Sequence, residues 1–324
     1  MAINYWIGIF FSGFLSCLAQ EDSVSVRRFK PFNDNITTKL SINTSSNSFS
    51  ITNRENDIIS TIFPNDRQRI NLALGYRSIA FGFGFAPNFF TMNEDNGNSK
   101  LYNLNFRAFH KRWTQSFDLY NQKGFYLRAG DQPEDQQIEL PKMKTFKIGG
   151  QTSYVLNKNF SFRAMSVQSE WQQKSAGSLV PTLSLYYTKI EGFEETVHTY
   201  TAALSPAYYY NFVIRKNFFI SLGVLPGLGV EYANSDTSYL YQGELTVALG
   251  YNSDTFFTGI NSNGKNFGSN RGSNVIWGDN ISNVEIYFGY RFKPPKKLTE
   301  TAEKVNQKLF KKNKLCSHYK ETAV

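Results

Sequence analysis

A strand pattern without interruption runs through Val284-Glu285-Ile286-Tyr287-Phe288-Gly289-Tyr290-Arg291-Phe292. Successive side chains of a strand point to opposite faces, so one face carries Val284, Ile286, Phe288, Tyr290 and Phe292. The other face carries Glu285, Gly289 and Arg291, with Tyr287 between them. An apolar face opposite a polar one is typical of a strand with lipid outside and a polar lumen inside. The segment therefore predicts the closing strand of a membrane-spanning β-barrel.

Similar alternation recurs along the chain. It predicts twelve strands, at 68–76, 79–86, 100–110, 112–120, 143–156, 159–169, 178–190, 199–213, 217–232, 239–251, 255–261 and 282–292. Their lengths are near the roughly 9–11 residues that a tilted strand needs to cross a bilayer. Polar segments at 88–99, 121–142 and 262–281 are predicted as long loops. Connectors between barrel strands are expected to alternate between short and long. The alternation over residues 68–170 is out of phase with that over 191–281, so counts of about 10 or 14 strands stay open.

Composition favours a single barrel domain. The 324 residues suffice for one large β domain, and 16% of them are aromatic. The mean hydropathy is nevertheless negative, which excludes a bundle of membrane-spanning helices. A barrel fits because every second strand residue faces water or the lumen. Aromatic residues near strand ends are predicted to form girdles at the bilayer interfaces, namely Trp113, Trp171, Trp277 and Tyr208-Tyr209-Tyr210.

The sequence divides into four regions. Residues 1–19 are mostly apolar and predict a signal peptide, with lipidation of Cys17 as the alternative. Residues 20–66 are polar and contain two short alternating pieces, which fit a hairpin, a lumen plug or the first barrel strands. Residues 67–292 are predicted as the outer-membrane barrel, and residues 293–324 as a periplasmic tail.

The tail carries most of the net charge. The whole chain has a net charge of +9, and residues 293–324 hold nine Lys and three Glu, which leaves +3 for the remainder. Basic character confined to the tail does not indicate a nucleic-acid-binding domain. Leu298, Ala302, Val305 and Leu309 follow helical spacing, so the tail is predicted as a short basic helix or a solvated segment.

Charged residues on the polar faces are predicted to point into the lumen. They are Arg107, Asp118, Lys147, Arg163, Glu231, Glu244, Glu285 and Arg291. Charges inside a narrow barrel must pair, so mixed signs on neighbouring strands predict an internal ion-pair network that fills the lumen. A selectivity filter or a ligand site is the alternative, although mixed signs disfavour a wide pore of one charge.

Catalytic patterns are weak in this sequence. Neither His110 with Ser116 nor His198 with Ser205 forms a known hydrolase motif. The His and Cys residues lack the spacing of metal ligands. We therefore predict no catalytic residues, no metal site and no cofactor, and we expect that the protein is not an enzyme.

Three stretches carry a resemblance to a known family. They are Asn71–Phe85, Gly124–Leu127 and the segment Glu170-Trp171-Gln172-Gln173-Lys174-Ser175-Ala176-Gly177-Ser178. These resemble an uncharacterised family of Bacteroidetes outer-membrane barrels, the domain of unknown function 4421. The similarity runs from about residue 25 to 292. It implies a barrel fold and the outer membrane, and it supplies no activity.

The sequence thus predicts a barrel with a structural or binding role. The expected partners are membrane lipid and lipopolysaccharide, the barrel-assembly machinery through the C-terminal strand, and peptidoglycan through the basic tail, with no nucleic acid. A narrow channel or transporter is one alternative, because small residues line Asn71–Gly84 and Ser221–Gly229. An outer-membrane lipid hydrolase is another alternative, and a soluble β-sandwich is the alternative fold.

Overall fold

The structure is a computed structural model that describes residues 28–53, 55, 58–64, 68–87, 90, 100–130, 137–192, 195–271, 275–300 and 303. The predicted signal peptide, with Cys17, and most of the basic tail lie outside these residues. In the described part of the tail, residues 296–300 are helical. Arg27–Phe292 forms a compact unit of its own.

The described part of this unit is almost entirely β-structure. Its elements in chain order are β1 (Phe29–Pro31), β2 (Ile36–Asn53), β3 (Ile58–Pro64), β4 (Gln68–Tyr76), β5 (Ile79–Phe85), β6 (Lys100–His110), β7 (Trp113–Ala129), β8 (Ile138–Tyr154), α1 (Phe162–Ser166), β9 (Glu170–Gln172), β10 (Ala176–Glu191), β11 (Val197–Ile214), β12 (Phe218–Ala233), β13 (Asp236–Asn252), β14 (Phe256–Arg271) and β15 (Val275–Phe292). Within the residues that the structure describes, helices lack the length and apolar character needed to cross a membrane.

Antiparallel strands close into a ring. β15 pairs with β2 over the whole length of both strands, from Phe292 opposite Ile36 to Val275 opposite Asn53. We call the end at Ile36 and Phe292 the terminal end and the opposite one the far end. At the terminal end the ring contains β2, β4–β8 and β10–β15, which makes twelve strands. A closed ring leaves no sheet edge unpaired in lipid. The predicted all-β barrel of about twelve antiparallel strands is therefore confirmed.

The wall branches between β2 and β7. β3 pairs with both of these strands, so the far end has ten strands, namely β2, β3, β7, β8 and β10–β15. Towards the terminal end, β4 replaces β3 beside β2, and β5 and β6 fill the space between β4 and β7. Gly124 lies at the register shift in β7 with a φ of 86°, where its missing Cβ permits a bulge. The barrel is consequently wider at the terminal end.

The two faces of the wall follow the predicted alternation. On β15 the residues Val284, Ile286, Phe288, Tyr290 and Phe292 are 40–61% exposed on the outer face. Between them, Glu285, Tyr287 and Arg291 are buried on the inner face. Immersion of each such apolar side chain in lipid contributes about 1.5–3 kcal/mol relative to water. The outer face is therefore built for a membrane.

The predicted strand at 159–169 is wrong, and the ring contains another strand that was not predicted. Residues 159–169 form a turn and α1, whose first turn is capped by the Ser161 hydroxyl accepting from the Ala164 N–H at 3.0 Å. Ile36–Asn53, which was not among the twelve predicted strands, forms β2 of the wall between β15 and β4. The polar segment 20–66, for which three structures were open, therefore contributes barrel strands. Twelve remains the count because one strand was added and one removed.

Two predicted loops are largely strand. β7 continues to Ala129 and β8 begins at Ile138, so residues 121–129 and 138–142 of the first loop are strand. β14 and β15 together cover most of 262–281. Beyond Ile260 the outer face carries Ser262 and Gly264, and the inner face carries Asn263 and Lys265. With both faces polar or small, the period of two disappears from the sequence although the backbone ladder continues.

A plug fills the terminal end of the lumen. We use this name for residues 29–31 and 155–175, in which β1 pairs with β9. After β8 the chain turns inward, forms α1 and β9, and returns to the wall as β10. Trp171 and Phe160 of the plug are buried, and Phe160 packs with Ala207 of β11 in one hydrophobic cluster. The plug is thus held by the inner face of the wall.

Candidate functional site

Seven of the eight predicted lumen charges lie on inner faces of wall strands, and Arg163 is the exception. Arg107 and Asp118 form an ion pair at 2.8 Å between the neighbouring strands β6 and β7. Four others bind groups that the sequence analysis did not identify. Glu285 pairs with Lys39 at 2.8 Å, Glu244 with Lys265 at 3.3 Å and Lys147 with Asp279, and Glu231 accepts a hydrogen bond from Ser269 at 2.7 Å.

Several of these contacts cross the lumen. Lys147 of β8 and Asp279 of β15 are six strands apart in either direction around the twelve-stranded ring. Their side chains are 1% and 11% exposed, so the pair is almost completely buried. Lys265 of β14 also donates to the Tyr186 hydroxyl of β10 at 3.2 Å. Direct contact between opposite walls shows that the lumen is filled at this level.

Two predicted lumen arginines belong to the plug and its contacts. Arg163 was predicted on a wall strand, but it lies on α1 and forms an ion pair with Glu170 at 3.7 Å. Arg291 of the wall donates to the Gln168 carbonyl of the plug at 2.5 Å. Its guanidinium lies 4.0 Å and 4.6 Å from the ring centroids of Phe32 and Phe257. These arginines fasten the plug and are not part of the cross-lumen network.

Hydrogen bonds hold the interior of the plug. Ser161 donates through its hydroxyl to Glu170 at 2.5 Å, and its backbone N–H donates to Gln172 at 2.8 Å. Asn211 of β11 donates to the Ser161 carbonyl at 3.0 Å. Buried polar groups that are paired in this way are costly to expose, since each loses its partner when the segment moves. The plug is therefore a fixed part of this structure.

The far end of the lumen is closed by apolar side chains. The hydrophobic cluster there contains the buried residues Phe49, Ile62, Phe125, Met143 and Ile190, with Trp277 packed against it. The ring of Phe49 lies 5.6 Å from that of Trp277 and 6.4 Å from that of Phe125. The residues of this cluster lie on seven consecutive strands of the ten at the far end, from β11 through β2 to β15, so the cluster covers most of the inner wall there. Water and ions are excluded from such a cluster.

A polar cavity of about 280 Å³ lies inside the barrel next to the plug. Small residues of β4 and β5, including Ala73, Gly75, Ala80 and Gly82, form one wall, and Phe162 and Met165 of the plug form another. The ion pairs of Arg107, Lys39 and Lys265 line it as well. Carboxamides contribute much of the remaining surface, namely Asn43, Asn71, Asn103, Asn105, Gln151, Asn261, Asn263 and Asn283. This cavity is the candidate functional site.

The predicted aromatic girdle is found in part. Trp113 is 44% exposed on the outer face, and Tyr208 is also exposed there. Trp171 is instead buried in the plug, where its indole N–H donates to the Lys216 carbonyl at 3.0 Å. Trp277 faces inward to the far-end cluster, and Tyr209 is buried inside the barrel. Proximity to a strand end did not distinguish a lipid-facing ring from an inward one.

Neither histidine–serine pair is assembled. His110 lies opposite Trp113, whereas Ser116 lies opposite Arg107 of the inner face, so His110 and Ser116 are on opposite faces of the wall. His198 and Ser205 are seven residues apart on β11 and also point to opposite faces. His198 Nδ1 is 2.8 Å from the Tyr187 hydroxyl. Among the described residues, His, Cys, Asp and Glu side chains form no group of three or more that could hold a metal ion.

Comparison with solved structures finds distant barrels. The translocator domain of the autotransporter NalP from Neisseria meningitidis is 8% identical, with a TM-score of 0.39 over 89% of this chain and 96% of that one. The β domain of the Bordetella autotransporter BrkA is 7% identical, with a TM-score of 0.37 over 79% and 99%. The outer membrane protein OprG from Pseudomonas aeruginosa is 13% identical, with a TM-score of 0.28 over 83% and 100%. Similarities this distant carry no information about activity.

Sequence comparison places the chain in a family. A search of curated proteins finds no match. The family model described as a domain of unknown function, DUF4421, matches residues 27–292, which include the plug and all strands of the barrel. Because this match covers well over half of the chain, the protein belongs to the DUF4421 family.

Proposed function

We propose that this protein is an outer-membrane barrel with a binding or structural role. We further propose that its lumen, as arranged in this structure, does not conduct solutes. The observation that carries this proposal is the obstruction of the lumen at both ends. The plug fills the terminal end, and the cluster around Phe49 fills the far end. Contacts across the lumen such as Lys147 with Asp279 add a barrier between them. A permanent pore would require these buried groups to separate, at a cost of several kcal/mol.

Two measurements test this proposal. The full chain is expressed, outer membranes are isolated, and the protein is run on a detergent gel with and without boiling. A closed barrel migrates faster unheated, and a protein recovered in the soluble fraction would refute the membrane assignment. Purified protein is then placed in planar bilayers. We expect no conductance steps, and steady channels in the wild type would overturn the closed-lumen proposal.

A narrow channel or transporter is the second candidate, and the cavity favours it. Small side chains on β4 and β5 leave space inside the wall, and the plug borders that space. If transport occurs, it requires movement of the plug. Replacement of residues 157–174 by a short Gly-Ser linker tests this, because it removes α1 and β9 of the plug and retains both flanking wall strands. Conductance that appears in this variant and is absent from the wild type would support a plug that opens during transport.

The basic tail is proposed to bind acidic polymers of the cell envelope. Its charge of +6 favours peptidoglycan or phosphate groups of lipopolysaccharide. The barrel itself is proposed to contact membrane lipid through its outer face and the assembly machinery through β15. Deletion of residues 296–324 should weaken cosedimentation with isolated cell walls, whereas replacement of the same residues by a neutral tail of equal length controls for length. Unchanged cosedimentation after deletion would refute this role.

A further inference from the structure

We propose that the cavity beside the plug is a binding site for a neutral, polyhydroxylated solute the size of one sugar ring. This inference rests on the proposed binding role of a closed barrel, and it specifies the ligand class. The cavity volume of about 280 Å³ is close to the lower end of the roughly 300–1,000 Å³ range of ligand pockets. A single small molecule is therefore the appropriate occupant.

The charges of the cavity exclude an ionic ligand. Six charged side chains line it, and they form the three ion pairs of Lys39 with Glu285, Arg107 with Asp118, and Lys265 with Glu244. The sum of their charges is zero, and each charge has an opposite partner within 3.3 Å. An ion in the cavity would have to break a pair or remain uncompensated in a buried site, and both are costly. A neutral molecule avoids both costs.

The remaining surface offers hydrogen bonds of both kinds. Each carboxamide has an acceptor oxygen and a donor NH₂ group, and eight such side chains line the cavity. Five of them already bond protein groups, because the NH₂ groups of Asn43, Asn105, Gln151 and Asn263 donate and the Asn283 oxygen accepts. A hydroxyl group both donates and accepts, so a polyol can use the donors and acceptors that remain. Charged or purely acceptor ligands could use only part of this surface. The composition of the wall therefore matches several hydroxyl groups on one small ring.

Three buried oxygen atoms in this cavity lack a partner among the described residues. They are Asn43 Oδ1, Thr37 Oγ1 and Asn261 Oδ1. Asn43 and Thr37 are 5% and 3% exposed, so bulk water does not satisfy them. Asn43 already uses its NH₂ group as a donor to Asn283 at 2.7 Å, which leaves its oxygen free to accept. Buried acceptors without partners are rare. These atoms expose almost no surface, so a bound hydroxyl reaches them only when their side chains turn towards the cavity.

Aromatic side chains complete the site. Tyr186 and Tyr209 of the wall and Phe162 of the plug line the same cavity as the carboxamides. The ring of Phe162 meets that of Tyr209 edge-on, at 5.2 Å between centroids. A sugar ring has C–H groups on its faces and hydroxyls at its rim, so it combines an apolar face with polar edges. This surface, with aromatic rings beside carboxamides, presents the complementary arrangement.

Equilibrium dialysis with labelled glucose tests the proposal. The full chain is refolded from urea in the presence of glucose, in micelles of lauryldimethylamine oxide, whose head group is not a sugar. Refolding with the probe present allows it to enter even if the plug does not open afterwards. We expect a stoichiometric amount of glucose bound to the fast-migrating, folded barrel. Glucuronate and glucosamine, which carry a charge, should bind at least about 10-fold more weakly.

Gly82→Leu and Gly243→Leu form a matched pair of variants. A Cβ at Gly82 meets nothing closer than the Ala73 Cβ at 3.7 Å, so a larger side chain fits there and enters the cavity. A Cβ at Gly243 meets nothing within 4 Å, and this residue lies on β13 outside the cavity. We expect Gly82→Leu to fold and lose glucose binding, and Gly243→Leu to fold and bind like the wild type. Equal binding by both folded variants would overturn the cavity as the site.

A second variant pair tests the hydrogen bonds. Asn261→Ala removes one carboxamide from the wall of the cavity, and Ser262→Ala removes a hydroxyl from the opposite, exposed face of the same strand. Loss of one neutral hydrogen bond weakens binding about 3- to 10-fold, which we expect for Asn261→Ala alone. Absence of glucose binding by folded wild-type barrel refutes the inference. That result would not refute the proposal of a non-conducting barrel, because the conductance measurement tests that proposal independently.

Discussion

The buried pair of Lys147 and Asp279 gives the sharpest test of a filled lumen. We consider Lys147→Met, which keeps the length of the side chain and removes its charge. Asp279 then remains as a carboxylate that is 11% exposed and without its cation. Removal of one partner of a buried ion pair costs about 3–5 kcal/mol. Asp279 keeps a hydrogen bond from Asn47 at 2.7 Å, so we expect the lower end, about 3 kcal/mol of unfolding free energy.

A double-mutant cycle isolates the pair itself. In Lys147→Met with Asp279→Asn, the uncompensated charge is gone, and the amide oxygen can still accept from Asn47. The double variant should therefore be about 2 kcal/mol more stable than the sum of the two single changes. Lys189→Met is the matched control, because the pair of Lys189 and Glu191 is 36% and 39% exposed. An exposed pair contributes about 0–1 kcal/mol, so this change should have little effect.

The assay is urea unfolding of the refolded barrel in micelles, followed by tryptophan fluorescence and by the fraction of the fast-migrating band. Both signals should report the same midpoint if unfolding is cooperative. A cost for Lys147→Met as small as that of Lys189→Met, without coupling to Asp279, would mean that water reaches the pair. The reasoning from a filled lumen would then be refuted, together with its consequence for conductance.

Packing inside the barrel gives two further predictions for the same unfolding assay. Phe49→Ala should lower the unfolding free energy by about 3–5 kcal/mol, because Phe49 is fully buried in the far-end cluster, whereas Phe49→Leu should cost less than about 1.5 kcal/mol. Gly289→Leu should prevent formation of the fast-migrating band, because a Cβ there would lie 2.0 Å from the Phe257 ring, while Gly243→Leu should leave the band unchanged. Folded, stable Gly289→Leu would contradict the packing described for β15.

The barrel could be predicted because every lipid-facing position of its outer face requires the same kind of side chain, an apolar one. Lipid contacts every outward side chain along β15 from Val284 to Phe292, so the apolar residues recur with a period of two. Leu72 of β4 and Phe83 of β5 follow the same rule, and both are exposed on the outer face. The rule fails where lipid is absent. In the described part of 262–281 the outer face of β14 carries polar or small residues such as Ser262 and Gly264, so the apolar alternation that identifies a lipid-facing strand is missing there.

The partners inside the lumen could not be predicted from alternation. Arg107 and Asp118 were both identified as lumen charges, and they lie on strands that are adjacent in sequence. Lys147 pairs with Asp279, which was assigned to a loop, and Glu285 pairs with Lys39, in a segment of undecided structure. Identification of these pairs requires the ring order and the register. Alternation supplies neither, because it specifies the face of a residue and not the strand opposite it.

The plug is a part of the molecule that its specific residues identify better than the alternation of polar and apolar residues does. The segment 170–178, one of the three stretches that carry the family resemblance, is not a typical wall strand, since it contains β9 and only the start of β10. Gln172 donates to the carbonyls of Asn159 and Lys174 at 2.9 Å each, and the Ser175 hydroxyl accepts from the Val213 N–H at 2.9 Å. Many alternating sequences can build a wall, whereas a buried polar segment needs a specific partner for each group. Such a segment is readily recognised as a motif and is poorly described by periodicity, which is why residues 159–169 were predicted as strand.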